Sequence, residues 1–145
     1  KKKFLNKEIS KNYPKKIYID RSDSKSNHRD LRKVTNEDEI FDFLKKEGFS
    51  IIRLGDLNFI DQVNLFNNAS QIIGLHGAGF ANLVFCKPNT FVLEFKSITA
   101  GNVIGNLARN QSINFHEIAI KPLSEDNNQQ GLISVPIDEI RKKLS

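Results

Sequence analysis

The sequence predicts an α/β domain, three layers deep, with a mostly parallel sheet covered by helices on both faces. Three observations carry this. Strand-like and helix-like patterns alternate from Lys16 to the C-terminus, and strands separated by helices of this length pair in parallel. The segments Gln71–Leu75 (QIIGL) and Thr90–Phe95 (TFVLEF) are almost continuously apolar, as strands buried on both faces are. A length of 145 residues is that of one compact domain able to bury a core without disulfides or metal. The architecture is therefore Rossmann-like.

Taken in order, Lys16–Asp20 (KIYID) reads as the first strand, and the polar stretch Arg21–Lys33 as the loop that closes it. Thr35 has the chemistry of a helix N-cap, with Glu37 and Asp38 at the positive end of the helix dipole. Ile40, Phe41 and Leu44 supply the apolar face, and Gly48 the stop. Phe49–Leu54 is the next strand, and Ile60–Ala69 a helix with Val63, Leu65 and Phe66 turned inward. Gln71–Leu75 is a short buried strand running into His76-Gly77-Ala78-Gly79, and Phe80–Phe85 a brief helix ended by Pro88. Thr90–Phe95 and Ile113–Ile120 are strands flanking a helix over Gly101–Arg109. A polar loop over Ser124–Gly131 leads to a last strand, Leu132–Val135, and a closing helix, Pro136–Leu144. No internal repeat or low-complexity tract interrupts this, so residues 1–15 read as a lysine-rich lead-in or linker and 16–145 as the domain.

Composition excludes several classes. The net charge of +5 is concentrated in Lys1, Lys2, Lys3, Lys7, Lys11, Lys15 and Lys16. Such a run is a solvated tail or a candidate for peripheral contact with a membrane. No nucleic-acid-binding signature accompanies it. Cys86 is the single cysteine and sits in an apolar run, which makes it a packed thiol. No apolar stretch reaches the roughly 18–20 residues of a membrane span, and no signal-peptide pattern opens the chain. With no methionine at all, the chain reads as a piece of a longer protein.

In open parallel sheets, ligands bind outside the carboxyl ends of the strands. That rule selects Arg21, the Leu54–Asp56 turn, His76–Gly79 and Glu94–Lys96. The turn His76-Gly77-Ala78-Gly79 precedes a helix, and glycines beside a helix N-terminus suit phosphate or pyrophosphate; a glycine turn made only for packing would look the same. Arg21, Arg29 and Arg32 follow the first strand and could pair with phosphate oxygens or simply be solvated. Glu94 interrupts an apolar strand, either facing solvent at an edge or placed to accept hydrogen bonds from ribose hydroxyls. There is no Walker A pattern, no G-x-S-x-G elbow and no Cys/His metal spacing. Gly77–Asn82 falls one residue short of a dinucleotide fingerprint and follows the third strand rather than the first, a weak sign of NAD.

Together these residues resemble glycosyltransferase family 61, which includes plant xylan-modifying transferases and animal protein O-linked N-acetylglucosamine transferases. The resemblance rests on IYIDR (Ile17–Arg21), RKVTNEDE (Arg32–Glu39), EGFSIIRL (Glu47–Leu54), DQVNLF (Asp61–Phe66), IIGLHGAGFANLVF (Ile72–Phe85) and TFVLEF (Thr90–Phe95). It implies the C-terminal, nucleotide-sugar-binding half of a two-domain GT-B enzyme, with the acceptor-binding half outside this chain. It further implies a nucleoside-diphosphate sugar as donor, a glycan or protein as acceptor, and a role in polysaccharide biosynthesis. No metal is required, and no Asp-x-Asp motif is present. Carried over by position, Arg21 and Arg32, with Arg29 near them, hold the diphosphate. His76, Gly77, Ala78 and Gly79 lie alongside, Asn82 steadies the turn and Glu94 holds the ribose. The catalytic base belongs to the absent half, so the fragment alone is expected to be inactive. The setting would be cytoplasmic or the inner membrane face in a bacterium, and a Golgi or ER lumen in a eukaryote. The alternative is a stand-alone nucleotide-binding module. The sequence departs from the family pattern at Asp20, Phe80 and Asn89, where Ser, Leu and Gly are usual.

Overall fold

A computed structural model describes residues 12–22, 32–123 and 131–145. Arg29 and most of the lysine-rich lead-in lie outside them, as does most of the polar loop after Leu123. The elements are β1 (Lys16–Asp20), β2 (Arg32–Val34), α1 (Glu37–Lys46), β3 (Ser50–Arg53), α2 (Phe59–Asn68), β4 (Gln71–Leu75), a 3-10 helix (Ala78–Phe85), β5 (Phe91–Ser97), α3 (Val103–Asn110), β6 (Asn114–Ile120), β7 (Gly131–Ile133) and α4 (Ile137–Leu144). The main sheet runs β3-β1-β4-β5-β6, and each neighbouring pair is parallel.

Strand side chains alternate between two faces, and the core divides accordingly. Ile17, Ile19, Ile72 and Val92 pack with Leu65 and Phe66 of α2, Phe80 and Leu83 of the 3-10 helix, and Ile104 and Ala108 of α3. Tyr18, Ile73, Leu75, Leu93 and Phe95 pack on the opposite face with Ile40 and Leu44 of α1, Ile140 of α4, and Val34 and Ile133. This is the expected three-layer architecture. Cys86 is buried in the first of these layers. Among the described residues no helix is long and apolar enough to cross a membrane.

Local chemistry explains the element ends. Gly48 adopts φ +86°, and the N–H groups of Gly48 and Phe49 return to the carbonyls of Lys45 and Leu44. That double closure is a Schellman stop, and its left-handed residue favours glycine. Asn89 takes φ 65°, a conformation asparagine tolerates better than most residues.

Three expectations need correction. Arg32 and Lys33, read as the end of a loop, form a strand with Val34, and β7 pairs with it in a separate two-stranded sheet rather than joining the main one. Thr35 is not the cap of α1, because its N–H extends the β2–β7 ladder to the Ile133 carbonyl at 2.8 Å. Asn36 takes the cap position and spends its side chain on Val135, donating to its carbonyl at 2.8 Å and accepting from its N–H at 3.0 Å. The brief helix expected over Phe80–Phe85 is a 3-10 helix and begins earlier, at Ala78.

The folded body begins before β1. The Tyr13 hydroxyl donates to Asp61 at 2.6 Å, and Asn68 donates to the Tyr13 carbonyl at 2.6 Å, so the approach to β1 lies along α2. Lys15 and Lys16 are likewise engaged, with Asn68 and with the Glu47 carbonyl.

Candidate functional site

The chain leaves β1 towards β3 on one side of the sheet and builds β4, β5 and β6 on the other. The crevice between the carboxyl ends of β1 and β4 is therefore the switch point at which ligands of such sheets bind. Arg21 stands at one lip and His76 at the other. The Arg21 Nη1 donates to the His76 carbonyl at 2.8 Å, and the guanidinium lies flat against Gly77. A Cβ on Gly77 would sit 2.9 Å from the Arg21 Cζ and Nη1. Gly77 itself is extended, with φ 164°. What requires glycine here is therefore room for the guanidinium rather than a left-handed turn. Asp20, beside this arginine, turns its carboxylate onto Ser22, whose N–H and hydroxyl both donate to it at 2.9 Å.

The 3-10 helix begins immediately behind. Its first donors, the Ala78 and Gly79 N–H groups, have no upstream acceptor in such a helix and lie beside a fixed cation. Gly79 permits the second close approach: its Cβ would meet Leu54 at 3.1 Å and Ile19 at 3.4 Å. Asn82 does not bond to the turn itself. Its amide donates to Gln62 of α2 at 3.1 Å, and Gln62 donates in turn to the carbonyls of Leu54 at 2.9 Å and Leu57 at 3.2 Å. The glutamine thus ties three segments together at the carboxyl edge. Sequence reasoning placed it on the helix and gave it no role, since a polar residue on an amphipathic helix carries no local sign of its partner.

Glu94 settles one alternative. It lies on β5, between β4 and β6, and is 0% exposed, so the solvent-edge reading is wrong. Its Oε1 pairs closely with the His76 Nδ1. The other oxygen, Oε2, is buried with no hydrogen-bond partner among the described residues. An orphan carboxylate oxygen is costly, and any group that supplied a donor there would relieve the cost. The His76 N–H continues the sheet ladder to the Phe95 carbonyl at 2.8 Å, which holds the imidazole against Glu94.

Beside this pair opens a pocket of about 300 Å³ lined by His76, Gly77, Ala78, Ala81 and three α3 residues, Val103, Ile104 and Leu107. Apart from His76 its side chains are aliphatic, as the walls of small-molecule pockets largely are. Sequence reasoning missed the α3 wall, because spacing alone does not say which helix flanks a turn.

The opposite face holds a second polar contact near the same edge. The Tyr18 hydroxyl donates to Glu37 at 3.2 Å. Burial, with the Glu37 carboxylate adding to it, holds the Tyr18 phenol well above its ordinary pKa. Burial also raises the Glu37 carboxyl, against the opposing effect of the Tyr18 hydrogen bond.

Of the residues singled out in the sequence, Arg21, His76, Gly77, Ala78, Gly79 and Glu94 converge on one crevice, and Asn82 acts one layer behind it. Arg32 opens β2, its side chain outside the described residues; Arg29 lies outside them entirely. Among the described residues no three His, Cys, Asp or Glu side chains gather as a metal site would require.

Comparison with known proteins bears on this geometry. The family model described as Glycosyltransferase 61 matches residues 1–93. An EGF domain-specific O-linked N-acetylglucosamine transferase of Mus musculus is 31% identical over 91 residues, which is 59% of this chain and 17% of that protein. A Beta-1,2-xylosyltransferase of Arabidopsis thaliana is 34% identical over 79 residues, 46% of this chain and 15% of that protein. The Rattus norvegicus O-linked N-acetylglucosamine transferase is 30% identical over 89 residues, 58% of this chain and 17% of that protein. The matched segment thus spans less than a fifth of each of these relatives.

Proposed function

The chain belongs to the glycosyltransferase 61 family, and from that premise we propose that it is the donor half of a glycosyltransferase, holding a nucleoside-diphosphate sugar at the β1–β4 switch point. The observation that carries the reading is the Arg21 guanidinium seated on Gly77 and bonded to the His76 carbonyl. It places a fixed cation beside the free N–H groups of the 3-10 helix. A departing nucleoside diphosphate gains charge in the transition state, and such preorganised donors stabilise it most when already in position. Because arginine and N–H groups meet that charge, the reading needs no metal.

The rest of the nucleotide finds complementary chemistry. The orphan Oε2 of Glu94 is an acceptor for a ribose hydroxyl, and the aliphatic pocket accommodates a planar base. The acceptor, a glycan or a protein side chain, and the group that deprotonates it would come from a second domain. The relatives named above are animal and plant proteins, which supports a Golgi or ER lumen over a bacterial setting.

Calorimetric titration of the chain with UDP, GDP, CDP and NAD, repeated on Arg21→Ala and Glu94→Ala, tests this. One nucleoside diphosphate should bind, and both variants should weaken it, Arg21→Ala by about 2 kcal/mol as expected for a charged hydrogen bond. A folded chain that bound NAD in preference, or bound a diphosphate equally well in both variants, would refute it.

A further inference from the structure

Lys96 is an unusual residue for its place. It lies two positions beyond Glu94 on the same face of β5 and is only 4% exposed, whereas lysine is almost never buried unless paired. Its Nζ donates to Asn102 Oδ1 at 3.0 Å and to the Gly101 carbonyl at 3.4 Å, and pairs with Glu117 Oε2 of β6 at 2.9 Å. An ammonium has three N–H donors, and these three partners occupy them. Lys96 is therefore not a spare cation waiting for phosphate.

Asn102 shows what the ammonium accomplishes. It is the N-cap residue of α3, yet its side chain makes no capping bond to that helix. An asparagine at this position normally accepts from the first-turn N–H groups; here the oxygen goes to Lys96 instead. The start of α3 is thereby tied to β5 through Lys96 and to β6 through Glu117. A turn closes the connection, with the Ala100 N–H on the Ser97 carbonyl at 2.9 Å and Thr99 on the Ser97 hydroxyl. Further along, Gly105 lets the helix approach Phe115 so closely that a Cβ would sit 3.2 Å from its ring. The first turn fixed in this way carries Val103 and Ile104, which line the aliphatic pocket. Val103 is 70% exposed, an apolar side chain standing at the mouth of an apolar pocket.

We propose that Lys96 is a positioning residue: it fixes the β5–α3 connection so that α3 forms one wall of a nucleobase slot, and the chain's preference among bases depends on it. This rests on the nucleotide reading above. It assigns the pocket's fit to a buried ammonium that need not touch the ligand, while the phosphate end of the site, at Arg21 and Gly77, is held by other contacts.

The two ends can be measured separately. The chain, Lys96→Met, Asn102→Ala and the double variant are titrated with UDP, GDP, CDP and inorganic pyrophosphate, with thermal unfolding followed in parallel. Methionine fills the lysine's volume, and the Glu117 carboxylate it leaves behind is 43% exposed, so water rather than a buried void takes the ammonium's place. Asn102→Ala leaves the Lys96–Glu117 pair in place. Lys96→Met should weaken the preferred nucleoside diphosphate by about tenfold, since small misplacement of a binding wall is felt strongly, and should narrow the difference between bases. Pyrophosphate affinity should stay within about twofold, and Asn102→Ala should act in the same direction. The double variant should be no worse than Lys96→Met, as for residues acting through one contact. Equal weakening of pyrophosphate and nucleotide, or unchanged base preference in both single variants, overturns the proposal. If the unaltered chain binds no nucleoside diphosphate, the nucleotide reading fails first and this proposal falls with it.

Discussion

The two faces of the sheet are built from the same strands and do different work. On β5, Leu93 and Phe95 point into a layer of α1, α4 and the small sheet, the layer in which the Tyr18 hydroxyl meets Glu37. Their neighbours Glu94 and Lys96 alternate onto the other face, and both are buried. Burying a carboxylate and an ammonium costs free energy that aliphatic residues would not. One face therefore bears a desolvation cost that the apolar one does not. It is also the face that carries the glycine turn, the pocket and the Gln62–Asn82 tie. The Glu94–Lys96 face carries buried charge, and the Leu93–Phe95 face the apolar packing that keeps the sheet together.

The largest expected effect separates stability from binding. Leu44→Ala on the packing face removes a fully buried side chain and should cost about 2–5 kcal/mol of unfolding free energy, measured by denaturant titration. Nucleotide affinity of the folded protein should be unchanged; a loss as large as the stability loss would erase the distinction between faces.

Gly77→Ala should do the reverse. The added methyl cannot share space with the Arg21 guanidinium at 2.9 Å, so the arginine must leave the His76 carbonyl. Affinity for a nucleoside diphosphate should fall by about 1–2 kcal/mol, with a smaller change in thermal stability. Because Gly77 is extended, backbone strain contributes nothing, and Arg21→Ala in the same background should cause little further loss.

The smallest effect is on pH dependence. Glu37 has its folded-state carboxyl raised, chiefly by burial, so folding favours its protonated form. Its contribution to stability is complete below the ordinary value of 4.5 and is lost as pH climbs through the raised folded value. Thermal unfolding across that range should show Glu37→Gln gaining on the native chain as pH rises. A gap that stayed constant with pH would mean the carboxyl does not titrate differently in the folded state.

Much of this was legible in the sequence, and the gaps have physical reasons. The strand Gln71–Leu75 and the turn after it could be placed because an uninterrupted apolar run has few other uses. The burial of Glu94 could not be read, since alternation fixes only which residues share a face. Which face is covered, and whether a strand is central, depends on pairing across the chain. Arg32 and Lys33 looked like loop because both are basic, and the partner of their strand lies about a hundred positions away, at Gly131–Ile133. The Lys96–Asn102–Glu117 tie joins a strand end, a helix cap and the next strand, and no local pattern announces such a meeting.

The central claim, that ligand chemistry belongs to one face and to the carboxyl edge of β1, β4 and β5, is tested most directly by NMR. Backbone amide resonances would be followed while the chain is titrated with the nucleoside diphosphate it binds. The account predicts shifts at Arg21, at His76–Gly79, at Glu94 and along Val103–Leu107, with Leu44, Ile133 and Ile140 unmoved. Shifts centred on α1, α4 and the β2–β7 pair, with His76–Gly79 silent, would contradict it.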